Sequence, residues 1–453
     1  MLTSVHPELG GPGPLKLLPL MLEPDSARTV IRPFDFSYPS AFAADRQDRR
    51  LVVARRVLDL GEAEQDRIVD RMLAAMRERH RNVEAVFLRR FDELGDEIRS
   101  LAANYPQKLL LGAYFSQEFA FESAALFNPS IVPDPRDVDG DGNDRFVLSL
   151  RGVGEGHISS VTFRRGSWDA DGGVTIDPPS PYAVPPRIVR DTEGNGAELM
   201  CCDSADISET VIFPALPSQS HGVEDLRLVQ FTDDDGQRMI VGTYTAFDGR
   251  EARQELLRGI DFRTVHMRPL TGRMAGYKGM ALFPRRIGGR YVMLGRQDNE
   301  NIWLLESDDL YRWDEGRPIM TPEFFWEFVQ LGNCGSPIEI DEGWLVFTHG
   351  VAMVRAYCVG ACLLDKQDPS IVLARTRKPL LVPTRWERGG YVPNVVYSCG
   401  ALVRRREILL PFAVGDRCTA FASGSVDDVL ATMVECKVME HNPAPSLWQA
   451  VTS

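Results

Sequence analysis

Five charged or titratable side chains stand beside short apolar segments at places where a solvated surface does not explain them. Arg151 follows FVLSL, Asp225 lies in GVEDLRL, Lys278 in YKGMALFP, Arg296 in YVMLGRQD and His349 in WLVFTHG. Together they offer one carboxyl group and several cations, and cations stabilise phosphate charge and bias a neighbouring carboxyl group. The set indicates an anionic or phosphorylated substrate and an acid catalyst, although any single member could form an ordinary ion pair.

Short strands must position these residues. After about residue 109 the sequence consists of brief apolar segments separated by Gly and Asp turns, which is typical of β-strands. Five units repeat a strand, a turn and a second strand, at residues 145–163, 226–247, 280–305, 337–364 and 401–422. A spacing of roughly 50 to 65 residues between the later units suits four-stranded propeller blades. We therefore expect an all-β fold, a five-bladed β-propeller over residues 109–453, with its polar residues directed into one central funnel.

The first part of the chain has a different pattern. Residues 1 to about 50 are rich in Pro, Gly and isolated charges, which predicts an arm on a surface or a partly disordered segment. Over residues 62–99, apolar residues such as Val83, Phe87 and Phe91 recur at helical spacing, which predicts one or two amphipathic helices. We expect residues 1–108 to form an N-terminal arm and α-helical extension. Its apolar stripe would pack on the following domain or on a second subunit, giving a homo-oligomer.

Composition excludes several classes of protein. The chain has 453 residues, of which 44% are hydrophobic, enough for a sizeable core. With 51 Lys and Arg against 64 Asp and Glu, the formal charge is −13, which argues against nucleic acid as a partner. The apolar stretch at residues 15–22 is broken by Lys16 and Pro19 and is shorter than the ~20 residues of a membrane-spanning helix. It also lacks the layout of a signal peptide, so we expect a cytoplasmic protein without membrane partners.

The eight cysteines are better interpreted as reduced thiols than as a disulfide framework in a chain of this length. The pairs Cys201 with Cys202 and Cys358 with Cys362 lack a second pair of Cys or His at the spacing of a zinc site. We expect neither a metal ion nor an organic cofactor.

The ordered set of strand segments resembles glycoside hydrolase family 130, the inverting β-mannoside phosphorylases and related β-mannosidases. The matching stretches are FNPSIV at 127–132, SLRGVGEGHISSVTFR at 149–164, GVEDLRLVQF at 222–231, KGMALFPRRIGGRYVMLGR at 278–296, GWLVFTHGV at 343–351, GACLLDKQDP at 360–369 and GYVPNVVYSCG at 390–400. The resemblance runs in order over about residues 113–433, and it implies a five-bladed propeller. The first hundred or so residues resemble the helical extension of longer family members.

The resemblance also implies roles for individual residues. Asp225 would be the general acid, protonating the glycosidic oxygen through a hydroxyl group of the mannosyl ring. Glu224 and Arg227 would orient it or bind sugar hydroxyls. The residues implied to surround inorganic phosphate are Arg151, Lys278, Arg296 and His349. Further implied sugar contacts are Asn128 and Asp298, with Tyr391 and Asn394 lining the funnel.

Charge alone leaves the reaction class open. An inverting hydrolase needs a second carboxylate to deprotonate water, whereas a phosphorylase needs cations because phosphate is already a nucleophilic anion. Four cationic positions favour phosphorolysis of β-linked manno-oligosaccharides to α-mannose 1-phosphate, with phosphate as co-substrate. Glu339, or else Glu155, is the candidate base of a phosphate-independent β-mannosidase. A non-catalytic sugar-binding propeller is the third alternative.

Overall fold

The computed structural model describes residues 13–436 except 35, 44–45, 103, 137–143, 193–194 and 384–389. Within these residues the chain is mostly β, with 28 strands and seven α-helices. Among them, no helix combines the length and the apolar character needed to cross a bilayer.

Six of the helices form a separate unit before the main sheets. They are α1 (Ser40–Ala43), α2 (Arg49–Leu58), α3 (Glu62–Arg77), α4 (Val83–Asp92), α5 (Asp96–Arg99) and α6 (Tyr105–Tyr114). The apolar stripe predicted at Val83, Phe87 and Phe91 is buried and packs with α6 in one hydrophobic cluster. Asn104 and Gln107 form a reciprocal capping box at the start of α6. The helices predicted over residues 62–99 are therefore confirmed.

Residues 16–33, where the sequence predicted an arm on a surface or a partly disordered segment, contain two strands that pair with distant parts of the chain. Strand β1 (Lys16–Leu22) pairs antiparallel with the strand Cys418–Ser425, and β2 (Thr29–Pro33) pairs with β3 (Ser116–Ala120). Between β1 and β2, Arg28 donates to Glu122, a fully buried carboxylate that also accepts from Arg164. The expected domain boundary at residues 108 and 109 falls inside α6.

The remaining strands lie in four sheets, which we divide into five antiparallel units because the 11-stranded sheet contains two of them, joined by one parallel pairing of Gly222 with Ser159. The first is β4 (Ala125–Pro133), β5 (Asp144–Val153) and β6 (Ser159–Trp168), with β7 (Val174–Ile176) and β10 (Val211–Ile212) both paired to β6. Between β7 and β10 the chain forms β8 (Arg187–Arg190) and β9 (Ala197–Met200). The second is β11 (Gly222–Thr232), β12 (Arg238–Phe247), β13 (Ala252–Gly259) and β14 (Thr264–Pro269), and β9 and β8 extend it beyond β14. The third is β15 (Ala281–Leu282), β16 (Tyr291–Gly295), β17 (Ile302–Ser307) and β18 (Glu315–Met320).

Strands from distant parts of the chain complete the last two units. The fourth is β19 (Gln330–Asn333), β20 (Ile338–Ile340), β21 (Gly343–Val351), β22 (Tyr357–Leu364) and β23 (Val372–Thr376), extended by β28 (Met433–Glu435). The fifth is β24 (Val396–Tyr397), β25 (Leu402–Arg404), β26 (Glu407–Val414) and β27 (Cys418–Ser425), completed by β1 and followed by α7 (Val426–Ala431).

Successive units are joined by hydrogen bonds, and the fifth contacts the first. In order, these bonds run from Leu228 N to Ser130 Oγ, Thr232 N to Pro284 O, Leu331 N to Glu300 O, Tyr357 N to Asn394 O and Cys399 N to Pro129 O, all at 2.9 Å. Most of them involve the first strand of a unit or the residues beside it. The polar residues near the starts of β4, β11 and β15 are consequently brought together.

Candidate active site

The backbone at Asp225 departs from regular strand geometry. Its φ is +55°, in the left-handed region, and the pairing of β11 with β12 shifts register between Glu224 and Arg227. Asn128 shows the same departure in β4, with a φ of +47° inside a register shift. Strand irregularities of this kind redirect side chains and are common beside active sites. Here they bring the side chains of Asn128 and Asp225 into contact.

Asp225 is held as a carboxylate by hydrogen bonds and nearby cations. Its Oδ1 accepts from Asn128 Nδ2 at 2.7 Å and from Arg151 Nη1 at 3.2 Å. Burial alone would raise the pKa of Asp225, but the positive charges of Arg151, Arg227 and Lys278 and the Asn128 hydrogen bond outweigh it and lower the pKa below its usual range. Asp225 is therefore ionised at neutral pH.

Glu224 joins two of the predicted phosphate ligands. It accepts from Arg151 Nη2 at 2.7 Å and from Lys278 Nζ at 3.1 Å. The Lys278 side chain is 46% exposed and that of Asp225 is 17% exposed, so the group opens to solvent. We call Asn128, Arg151, Glu224, Asp225 and Lys278 the Asp225 cluster.

Arg296 and His349 form a second group. Arg296 Nη1 lies 3.2 Å from His349 Nε2, and His349 is fully buried. Burial, together with the charges of Arg296 and Arg227, lowers the pKa of His349 well below its usual value, so the ring is neutral and can accept from Arg296. A Cβ on Gly279 would lie 2.8 Å from Arg296 Nε. Arg296 therefore passes directly against the residue that follows Lys278.

Arg227 lies close to both groups, because it contacts Asp225 and its charge acts on His349. It is 1% exposed, and it donates to Cys334 O at 2.8 Å, to Tyr397 Oη at 2.6 Å and to Asp225 O at 3.2 Å. These acceptors belong to the second, fourth and fifth units. Of the two roles that the resemblance implies, orienting Asp225 fits these contacts better than binding sugar.

The remaining predicted sugar contacts are Asp298, Tyr391 and Asn394, which do not form hydrogen bonds to Asp225. Both carboxylate oxygens of Asp298 accept hydrogen bonds within its own turn, from the residues Glu300 and Asn301. Tyr391 is 72% exposed, and its ring centroid lies 5.8 Å from that of His157. The Oδ1 of Asn394 is buried, and no residue in the described part of the chain donates to it.

The expectation that Glu339 could be the catalytic base is corrected, because Glu339 lies at the end of the sheets away from Asp225. It pairs with Arg285 at 2.9 Å and lines a cavity of about 330 Å³ together with Gln230 and Thr232. Gln230 follows Asp225 by five residues along β11, which corresponds to about 17 Å of strand. Glu339 therefore cannot act as a base opposite Asp225. Glu155 is exposed in the turn between β5 and β6, near Arg151, and stays a prediction.

We expect Glu339→Gln to change the catalytic rate by less than about two-fold, because its carboxylate serves an ion pair remote from Asp225. Loss of a true catalytic base would cost about 10²- to 10⁴-fold. Steady-state kinetics on the purified variant measures the difference. A fall in the catalytic rate of 100-fold or more would contradict this expectation and identify Glu339 as a catalytic residue.

Asp416 belongs to the site although it was not predicted from the sequence. It lies in the turn between β26 and β27 with a φ of +51°. Burial, reinforced by the charge of Asp225, raises the pKa of Asp416 to about 6, and Arg151 and Arg355 offset part of that rise. In the sequence, Asp416 stands in Gly-Asp, which is indistinguishable from an ordinary hairpin turn.

We expect Asp416→Asn to change how stability depends on pH. Between pH 3.8 and about 6 the folded protein retains a proton that the unfolded chain has released, so the wild type loses stability as pH rises through this window. The variant has no such proton, so its free energy of unfolding relative to wild type should rise between about pH 4.5 and about pH 7.5. Urea unfolding measures it, with Asp341→Asn, at a 97% exposed side chain, as the control. An unchanged difference would contradict the raised pKa.

Known proteins resemble this chain in sequence over part of its length. The model of glycoside hydrolase family 130, described as beta-1,4-mannooligosaccharide phosphorylase, matches residues 202–435, a little over half of the chain. A 1,2-beta-oligomannan phosphorylase from Thermoanaerobacter sp. strain X514 is 40% identical over 154 residues, which cover 34% of this chain and 52% of that protein. A beta-1,2-mannobiose phosphorylase from the same organism is 36% identical over 205 residues, covering 42% and 63%.

A solved structure supports the fold. A glycosyl hydrolase from Bacteroides ovatus aligns with a TM-score of 0.50 at 17% identity, covering 71% of this chain and 88% of that chain. The chain spans only about half to two thirds of the two phosphorylases it matches. The resemblance noted in the sequence is confirmed by the match over residues 202–435, and the chain belongs to glycoside hydrolase family 130.

Proposed function

We propose that this protein is an inverting β-mannoside phosphorylase, which cleaves β-linked manno-oligosaccharides with inorganic phosphate and releases α-mannose 1-phosphate. The observation that carries the proposal is the Asp225 carboxylate, held by Asn128 and Arg151 next to further cations. The names of the two matched relatives, both phosphorylases of β-mannosides, support the same reaction.

Charge in the site favours phosphate as the nucleophile. Three cations, Arg151, Arg227 and Lys278, act on the carboxylate of Asp225, and Arg296 lies against Gly279, the residue after Lys278. These four positive charges outnumber the carboxylates of Glu224, Asp225 and Asp416, the last of which is ionised only above about pH 6. An excess of positive charge stabilises a bound phosphate and the negative charge of the attacking oxygen. Phosphate would also compete with Glu224 for Arg151 and Lys278.

Phosphate binding would also prepare the acid. Arg151, Arg227 and Lys278 keep the pKa of Asp225 low. A phosphate dianion beside Arg151 and Lys278 offsets their charge, which raises the pKa of Asp225 and favours its protonated form. Asp225 then donates its proton to the leaving oxygen through a mannosyl hydroxyl, while phosphate attacks the anomeric carbon from the opposite face. The charge of the co-substrate thus couples the two steps.

Sugar hydroxyl groups would pair with acceptors that lack partners. The Oδ1 atoms of Asn128 and Asn394 are buried, and no described residue donates to either. Buried acceptors without donors are costly, and a hydroxyl of the bound sugar satisfies them. We propose Asn128, Asn394 and Glu224 as mannose contacts, with Tyr391 at the rim and Asp298 in a neighbouring turn.

Phosphate-independent hydrolysis is the second candidate. Asp416 interacts electrostatically with Asp225 and is a second carboxyl group at the same end of the sheets, and Glu155 is exposed nearby. In a hydrolase, one of them would deprotonate water. Incubating purified protein with β-1,2- and β-1,4-linked manno-oligosaccharides, with and without phosphate, distinguishes the candidates. Phosphate-dependent mannose 1-phosphate supports our proposal, mannose released without phosphate supports hydrolysis, and binding without turnover supports a sugar-binding module.

We further propose that the five units are the blades of a five-bladed β-propeller, with the extension over residues 1–108 and the catalytic domain over residues 109–453. The support is the set of hydrogen bonds from each unit to the next and from the fifth to the first. Strand β1 is the exception to this division, because it pairs within the fifth unit.

A cytoplasmic location and self-association are also part of the proposal. Cys201, Cys202, Cys334, Cys362, Cys399 and Cys436 are free thiols, as in a reducing compartment. Leu101, Tyr105 and Tyr114 are exposed apolar residues on the helical extension and are the surface through which a homo-oligomer would form. Sedimentation of wild type and Tyr105→Glu tests this surface without deleting helices that pack on the sheets.

A further inference from the structure

Tyr397 is fixed in position by contacts from two other units. It lies on β24, and its Oη accepts a hydrogen bond from Arg227 Nη2 at 2.6 Å. Arg227 is itself held by Cys334 O. The Tyr397 ring packs edge-on against His349, with 4.9 Å between ring centroids. Neither the ring nor the oxygen of this phenol can move far without breaking these contacts.

The hydrogen of the Tyr397 hydroxyl has no acceptor in the described part of the chain. Its oxygen is used by Arg227, and hydrogen bonds from the hydroxyl itself are not found among the described residues. A buried hydroxyl normally satisfies its hydrogen as well as its oxygen. Burial raises the pKa of Tyr397 above its usual range, so the hydroxyl retains this hydrogen at neutral pH. The missing acceptor would come from a ligand.

The surroundings favour an anionic acceptor over a neutral one. Tyr397 lies between Arg227, which contacts Asp225 O, and His349, which contacts Arg296. The positive charges of Arg227 and Arg296 both act on Tyr397, and positive charge attracts a phosphate oxygen more strongly than a sugar oxygen. An O–H donor to an anionic oxygen forms a short hydrogen bond about twice as strong as a neutral one.

We propose that Tyr397 is a phosphate-binding residue, whose hydroxyl donates a hydrogen bond to an oxygen of the phosphate that Arg296 holds. This inference rests on the proposed phosphorylase function. It assigns the residue a part in selecting the nucleophile, because water in place of phosphate offers no anionic oxygen to this donor. The hydroxyl hydrogen stays on Tyr397 throughout, and the residue takes no part in proton transfer.

The test is Tyr397→Phe, which removes the hydroxyl and keeps the ring against His349. We expect KM for phosphate to rise about 10- to 100-fold, with kcat and KM for the oligosaccharide changed by less than about three-fold. Tyr291→Phe is the matched control, because Tyr291 Oη also accepts from an arginine, Arg286 Nη2 at 2.7 Å, but in the third unit. Calorimetric titration of inorganic phosphate into each protein gives the same comparison without turnover.

Each outcome decides the matter. A rise in KM for the oligosaccharide alone would make Tyr397 a sugar contact, and no change in either KM would leave it a packing residue; both overturn the inference. If the wild type neither requires nor binds phosphate, that result contradicts the proposed phosphorylase function itself, whatever Tyr397→Phe does. If Tyr397→Phe unfolds, 3-fluorotyrosine at position 397, a stronger donor of similar size, must lower KM for phosphate, and an unchanged KM refutes the proposal.

Discussion

Asp225→Asn is expected to lower kcat for phosphorolysis by about 10²- to 10⁴-fold, the range for loss of a general acid. Asparagine has nearly the size of aspartate but has no acidic proton to give to the leaving oxygen. Sugar binding should survive, because the neighbouring Asn128, Glu224 and Arg151 remain in place. Steady-state kinetics with a saturating β-mannoside gives kcat, and titration calorimetry gives the sugar affinity.

The matched control for this variant is Asp314→Asn. Asp314 is also paired with an arginine, since Arg312 Nε donates to it at 2.6 Å, but the pair lies in the third unit away from Asp225. Its activity should remain within about two-fold of wild type. If Asp225→Asn kept more than about a tenth of wild-type kcat, the acid would lie elsewhere, and Asp416 would be the first residue to replace.

Arg227→Met is expected to cause the largest loss of stability, at least about 3 kcal/mol in the free energy of unfolding. Methionine fills part of the space but donates to none of the three acceptors, Cys334 O, Tyr397 Oη and Asp225 O. The variant also removes a positive charge beneath Asp225, so the pKa of that carboxyl group should rise. Urea unfolding measures the stability.

Arg285→Met provides the comparison for this experiment. The Arg285 side chain is 40% exposed and pairs with Glu339 near the surface, where an ion pair contributes about 1 kcal/mol or less. A similar loss in both variants would mean that Arg227 does not join the units as its contacts indicate.

The contrast between Asp225 and Asp416 shows how much of the site could be predicted. Asp225 interrupts an apolar strand, and a charge in such a place is visible in a single sequence. Asp416 occupies a Gly-Asp turn, where an acidic residue is ordinary, and only the contact of that turn with the first unit brings it near Asp225. Tyr397 was missed for a similar reason, because a tyrosine in an apolar strand is typical of a packed core.

The positions of Glu339 and of the N-terminal strands could not be predicted, because strand patterns carry no information about distance across the fold. Glu339 follows Asn333 closely in the sequence, yet β20 directs it to the end of the sheets opposite Asp225. Lys16 pairs with Ser423, a partner at the far end of the sequence that no local pattern could indicate.

The sequence by itself determined the strand-rich architecture, the helical extension over residues 62–99, the family, and the charged residues at the strand ends, because apolar periodicity and its interruptions are local properties of the chain. The tertiary structure alone decided which of those charges meet. It placed Arg227 and Tyr397 between the Asp225 cluster and the pair of Arg296 and His349. It also brought Asp416 close to Asp225 and placed Glu339 far from Asp225. The physical reason is that a site built from five units depends on contacts between residues far apart in sequence, which form only when the units pack together.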